Sequence, residues 1–102
     1  MVTNNLLIKL KERSKDEIEK VKSLLLSMDG KISALVNIKV ETDIRGPEKS
    51  GYDIMLITQF NDFGDLDKYL NHPVHLEVSE YIKNVIDTGA SLCYESSGRS
   101  GN

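Results

Sequence analysis

Tryptophan is absent from this 102-residue chain, cysteine occurs once, proline and histidine twice each, and aromatic side chains make up 6% of the residues. Each scarcity removes a class of protein. With Cys93 alone, no intramolecular disulfide can form, and no basic motif beside it favours a reactive thiolate. Charged residues reach 28%, but acids and bases are mixed and the net charge is −3, which argues against a dedicated nucleic-acid binder. The basic cluster Lys9, Lys11, Arg13 and Lys15 reads as the solvated end of a strand. The longest apolar run, Ile54 to Ile57, is far too short to span a bilayer, and Met1 to Asn5 carry no leader pattern. There is no Gly-rich phosphate loop, no GxGxxG and no Ser-His-Asp spacing, so nucleotide chemistry has no support. A cytoplasmic single domain over residues 1–95 is the expectation, followed by a disordered tail, Ser96 to Asn102, that lacks any apolar residue.

What is present is regular. Leu6, Ile8 and Leu10 alternate with polar or outward positions, as in a strand over Leu6–Lys11. Ser14 and Glu17 form the ends of a capping box, in which the serine caps a helix and the glutamate reaches back. The helix it opens carries Ile18, Val21, Leu25 and Met28 on one stripe, with Gly30 as its stop. A second strand runs from Ala34 to Thr42. The segment Arg45 to Gly51 is a loop too short for a helix, so it joins antiparallel strands. A third strand, Tyr52–Phe60, is apolar on both faces. A helical zone from Asp62 breaks at His72-Pro73 and continues to Gly89, and a last strand covers Ala90–Glu95.

The order β-α-β-β-α-β is the split βαβ, or ferredoxin-like, α+β arrangement. Its helices cover one face of the sheet, yet Leu7, Met55 and Ile57 point to the other. Burying one such side chain is worth roughly 1.5–3 kcal/mol, so an uncovered apolar face favours association with a second copy, sheet against sheet.

Tyr69-Leu70-Asn71-His72-Pro73-Val74-His75 is the most informative stretch. Proline disfavours helical geometry at His72 and removes a backbone donor, but it suits the first turn of a restarted helix. His75 then lies one turn inside that helix, beside Val78, Ser79 and Ile82 on the apolar stripe. Its ordinary pKa near 6.5 suits it to act as base or acid at neutral pH. The plain alternative is a histidine that fastens the helix break through a backbone carbonyl, with His72 capping the new helix. Pro73 spoils the geometry by which His72 and His75 could share a metal, a catalytic zinc needs a third ligand, and Glu77 and Glu80 follow the polar face. Tyr69 and Tyr52 could supply hydroxyls to an apolar pocket, or simply sit at the edge of the core.

From Asn4 to Glu95 the chain resembles the stress-responsive A/B barrel (Dabb) family. The resemblance is carried by Leu6-Leu7-Ile8-Lys9-Leu10-Lys11, by Gly51-Tyr52-Asp53-Ile54-Met55-Leu56, by Phe60, and above all by the Tyr69 to His75 motif. It implies a ferredoxin-like protomer that pairs into a dimeric α+β barrel. The family includes stress-induced plant proteins and a polyketide cyclase in which the motif's second histidine is the base and its tyrosine assists. These roles fall on His75 and Tyr69. Asn4 and Ile54 stand where relatives carry histidines, and Cys93 replaces an aspartate before Tyr94. Some members hold magnesium on backbone carbonyls after the first helix, around Asp29 to Leu35 here; no cofactor is otherwise expected. The resulting expectation is a homodimer, without nucleic-acid or membrane partners. It would bind a small apolar or aromatic molecule beside His75 and Tyr69, with His72, Tyr52, Ile54, Asn4, Val78 and Ile82 contributing. A cofactor-free lyase, cyclase or isomerase using His75 as base is the alternative, and a non-catalytic assembly protein the third reading.

Overall fold

The computed structural model describes residues 1–45 and 51–96. Positions 46–50 of the expected loop and 97–102 of the expected tail lie outside the described residues. The elements are β1 (Val2–Leu10), α1 (Lys15–Leu26), β2 (Asn37–Thr42), β3 (Ile54–Phe60), α2 (Phe63–Leu70), α3 (Pro73–Val85) and β4 (Ile86–Glu95). The four strands form one antiparallel sheet in the order β2-β3-β1-β4. This is the ferredoxin-like α+β fold, with its second helical unit divided in two.

β1 lies inside the sheet, pairing Val2–Ile8 with β3 and Val2–Leu10 with β4. That double pairing draws Val2 to Asn5 into a strand that periodicity alone starts at Leu6. The inner face presents Ile8, Ile54, Leu56 and Phe60, all buried, to Val21, Leu25 and Met28. Thr58 shares this face and sends its hydroxyl to the Asn4 carbonyl at 3.4 Å.

Ser14 caps α1, accepting the Glu17 N–H at 3.1 Å. The expected return contact from Glu17 does not form. Its carboxylate instead accepts the Tyr81 hydroxyl at 2.9 Å and ties α1 to α3. A tertiary partner replaces the local one. Beyond α1 the chain turns through Gly30, whose φ of +78° is the conformation glycine tolerates best. Ile32, Ala34 and Leu35 then pack on the core as a turn, so β2 starts at Asn37 rather than Ala34.

α3 ends four residues before the expected stop at Gly89. Ile86 is already extended (φ −81°, ψ 135°), and β4 pairs with β1 from Ile86 onward. Gly89 is a strand residue packed close to Ile86; a Cβ there would meet the Ile86 Cδ1 at 3.0 Å. Pairing along a ten-residue β4 outweighs the helical period that runs through this segment.

Arg13 is not merely the solvated end of a basic run. Its Nε lies 3.1 Å from Oδ1 of Asp53, whose side chain is 2% exposed. The same carboxylate accepts the Leu10 N–H at 2.9 Å, and the Asp53 N–H donates to the Ile8 carbonyl at 2.8 Å. Together these bonds lock the end of β1 to the start of β3.

On the outer face, register places Met55 beside Leu7, and Leu7 beside Ala90; one step along, Ile57 flanks Asn5, and Asn5 flanks Leu92. No helix among the described residues covers this face. Leu92 is 66% and Tyr94 41% exposed. The Asn5 Oδ1 is buried among its neighbours without a hydrogen-bond partner among the described residues. No helix among the described residues is long and apolar enough to cross a membrane.

Candidate functional site

The break between α2 and α3 builds the site. Asp62 caps α2 by accepting the Asp65 N–H at 2.8 Å, and α2 carries Tyr69 inward, where it is 3% exposed. At the other end of α2, Asn71 closes the helix by donating its N–H to the Asp67 carbonyl at 3.1 Å. His72 is extended (φ −70°, ψ 137°), as the following proline requires, and Pro73 opens α3. The His72 Nδ1 accepts the Val74 N–H at 3.1 Å, so His72 is the N-cap of α3.

One turn later, His75 Nδ1 lies 3.0 Å from the Leu70 carbonyl oxygen. A carbonyl only accepts, so this nitrogen carries the proton and Nε2 holds the lone pair. The imidazole packs against Tyr69 with ring centroids 4.5 Å apart, and Tyr69 in turn packs on Phe60 at 5.1 Å. Burial holds the His75 imidazole below its ordinary 6.5, against a smaller upward pull from the bonded Leu70 carbonyl. Burial pushes the Tyr69 phenol up to about 12. At neutral pH the pair is therefore an uncharged imidazole and an intact phenol. No described residue hydrogen-bonds the Tyr69 hydroxyl.

Both rings line a cavity of about 240 Å³ between the sheet and the helices. Its walls are apolar: Leu6 and Ile8 of β1, Leu56 of β3, Leu25 and Met28 at α1, Leu70 of α2, and Val78 and Ile82 of α3. Its polar groups are Asn4, Tyr69, His75, Ser79 and Ser91. No Asp, Glu, Lys or Arg is among its lining residues. Two larger hollows, of about 320 and 360 Å³, hold neither histidine and carry several charged side chains, including Asp43 and Asp53 in both.

The structure thus brings His75, Tyr69, Asn4, Val78 and Ile82 to one cavity. It does not bring the other candidates there. His72 is occupied as a cap. Tyr52 and Ile54 border the hollow that also contains Leu7 and Met55. Ser91 enters from β4, a strand whose pairing with β1 sets it beside Leu6. Nothing in its local sequence marks it, whereas Ser79, one turn beyond His75, was legible from helical spacing. Around Asp29 to Leu35, the carbonyls of Met28 and Ile32 accept the N–H groups of Lys31 and Leu35. Among the described residues no three His, Cys, Asp or Glu side chains converge to hold a metal ion.

The model of the stress responsive A/B barrel domain matches residues 2–96, and the chain belongs to this family. No curated protein matches it in sequence. Among solved structures it is similar to a dimeric ferredoxin-like protein of unknown function from Bacteroides fragilis (23% identity, 93% of this chain and 95% of that one, TM-score 0.79). It is also similar to a dimeric ferredoxin-like protein of unknown function from Thermobifida fusca (18%, 93% and 90%, 0.80). A third is the hydroxynitrile lyase of Passiflora edulis (17%, 91% and 90%, 0.77). At these identities the likeness speaks for the fold.

Proposed function

We propose that this protein is a cytoplasmic homodimer that binds a small uncharged molecule, apolar or aromatic, in the cavity beside Tyr69 and His75. The observation that carries this reading is the Tyr69 hydroxyl, which has no protein partner among the described residues, beside a neutral imidazole on the wall of a mainly apolar cavity without charged side chains. Opening on the cavity, that hydroxyl can donate to a ligand acceptor, a bond worth roughly 0.5–1.5 kcal/mol net. The volume of about 240 Å³ lies just below the roughly 300–1,000 Å³ of drug-sized sites, so the ligand is small. A charged ligand would find no counter-ion among the lining residues. For the dimer, the support is the outer face of Leu7, Met55, Ile57, Leu92 and Tyr94, together with the dimeric descriptions of the two bacterial relatives.

A second reading, general-base catalysis without a cofactor, is favoured by one observation: the proton of His75 is fixed on Nδ1, which leaves Nε2 basic. The lyase among the similar folds is consistent with it. Against turnover stand Asn4, which lines the cavity in place of a histidine, and Ile54, which lies outside it. The test is a thermal-shift screen of uncharged aromatic and aliphatic carbonyl and hydroxyl compounds, followed by assay of each hit for conversion. Binding without conversion is expected. Conversion that His75→Ala lowers by roughly 10²–10⁴-fold would establish the enzyme reading instead. If no compound raises the melting temperature, assembly itself is left as the function.

A further inference from the structure

We propose that Val78 is the wall at which the cavity ends, and that this one side chain sets the longest apolar tail a ligand can carry. The proposal rests on reading the cavity as a binding site. Exposure is uneven around it: Leu70 and Ser91 reach solvent, whereas Leu25, Met28 and Val78 are buried. The cavity therefore opens toward Leu70 and Ser91 and is closed at the seam between α1 and α3. Across that seam lies a groove of about 170 Å³, bordered by Leu24, Ser27, Lys31, Val74, Glu77 and Val78. The two hollows are lined by neighbouring positions of the same turns. Leu24 borders the groove and Leu25 the cavity; Val74 borders the groove and His75 the cavity. Consecutive helical residues point about 100° apart, so this alternation places the hollows on opposite sides of one seam. Among the described residues Val78 alone borders both, and it is 6% exposed. Its β-branch holds essentially one rotamer in a helix, which makes it a fixed stop where a longer, unbranched side chain could swing aside. The helices are also tied without it, since the Tyr81 hydroxyl of α3 donates to the Glu17 carboxylate of α1 at 2.9 Å. Shortening Val78 would thus remove the partition, leave the seam standing and join the cavity to the groove. The ligand class follows from both ends. A hydroxyl can donate to the lone pair on His75 Nε2 or accept from the Tyr69 phenol, and an unbranched apolar tail fills the space up to Val78. The fitting ligand is a short-chain neutral alcohol.

The test titrates the 1-alkanols from butanol to decanol into wild type, Val78→Ala and Val78→Ile, with affinity read from chemical shifts. In the wild type, affinity should rise roughly fourfold per methylene, the worth of one buried CH₂, until the tail meets Val78, and then level off. Val78→Ala should carry the rise to longer alkanols, so that the first homologue past the wild-type limit binds it roughly fourfold more tightly than the wild type. Val78→Ile adds a methylene to the wall and should end the rise at a shorter alkanol; it keeps the seam filled and so answers even if the alanine variant fails to fold. A crystal structure of Val78→Ala without ligand should show the cavity and the groove joined. The same limiting length in all three proteins, or hollows that stay separate in Val78→Ala, overturns the role of Val78 and leaves the binding reading standing. Failure of every alkanol to bind any of the three overturns both.

Discussion

The two faces of the sheet are incomplete in different ways. The inner face meets three helices and buries Ile8, Ile54 and Phe60 almost wholly, yet leaves a cavity where Tyr69 keeps a free hydroxyl and His75 a lone pair. The outer face is packed by no helix among the described residues and leaves Leu7, Met55, Ile57 and Leu92 in one band. One deficit is of hydrogen bonds within a formed wall; the other is of apolar contact over a broad surface. Different partners answer them. A few directed polar groups in an apolar hollow suit a small molecule, whereas a broad apolar sheet face suits another sheet. On the proposed reading the two surfaces have separate tasks, and that contrast can be attacked from each side.

The largest effect is expected on the outer face. Met55→Lys would remove burial worth roughly 1.5–3 kcal/mol. In a two-fold dimer the loss counts on both sides, giving about 3–6 kcal/mol, or roughly 10²–10⁴-fold in the dimer dissociation constant. Light scattering at micromolar concentration should report a dimer for the wild type and a monomer or unfolded chain for the variant. A wild-type protein that stays monomeric there would remove the distinction between the faces.

Within the cavity, His75→Ala should weaken a hit compound by roughly tenfold to a hundredfold, the loss of a hydrogen bond plus ring contact. Tyr69→Phe keeps the packing on Phe60 and His75 and removes only the hydroxyl. It should cost ligand affinity about tenfold while changing stability by less than roughly 1 kcal/mol. Calorimetric titration and thermal melts separate the two quantities.

Acid should weaken the inner face through His75. The folded His75 titrates below its unfolded value of 6.5, so as pH falls the unfolded chain takes up the proton first. The stability contributed by the neutral imidazole is complete above that unfolded value and is lost as pH falls from it through the folded one. Melting temperature should thus decline as pH falls below that unfolded value, and by more in the wild type than in His75→Gln. Equal declines would mean that His75 is not held neutral by its surroundings. The smallest effect belongs to Pro73→Ala. A first-turn proline acts chiefly by stiffening the unfolded chain, so a loss within about 1 kcal/mol is expected in chemical denaturation.

Periodicity and punctuation were enough to read the helix-covered face, the order of elements along the chain and the place of His75 one turn into a helix, because those depend on residues close in sequence. What escaped depends on partners far away in sequence. Nothing near Asp53 in sequence marks its burial, which comes about when β1 brings the Leu10 N–H and Arg13 to it. Glu17 fits a capping box until Tyr81 takes its carboxylate. Gly89 resembles a helix stop until β4 pairs with β1 through it. The cavity shows the same division. His75, Val78 and Ile82 follow from helical spacing, whereas Ser91 is delivered by strand register, and Tyr52 and Ile54 are carried to another hollow.

The separation of the two faces is tested most directly by titrating the strongest hit compound into ¹³C,¹⁵N-labelled protein while following the His75 ring and the methyl groups of Met55 and Leu92 together. The account predicts saturable shifts at His75 and Tyr69, with Met55 and Leu92 unmoved. Shifts confined to Met55 and Leu92, or none at His75 on saturation, would contradict it.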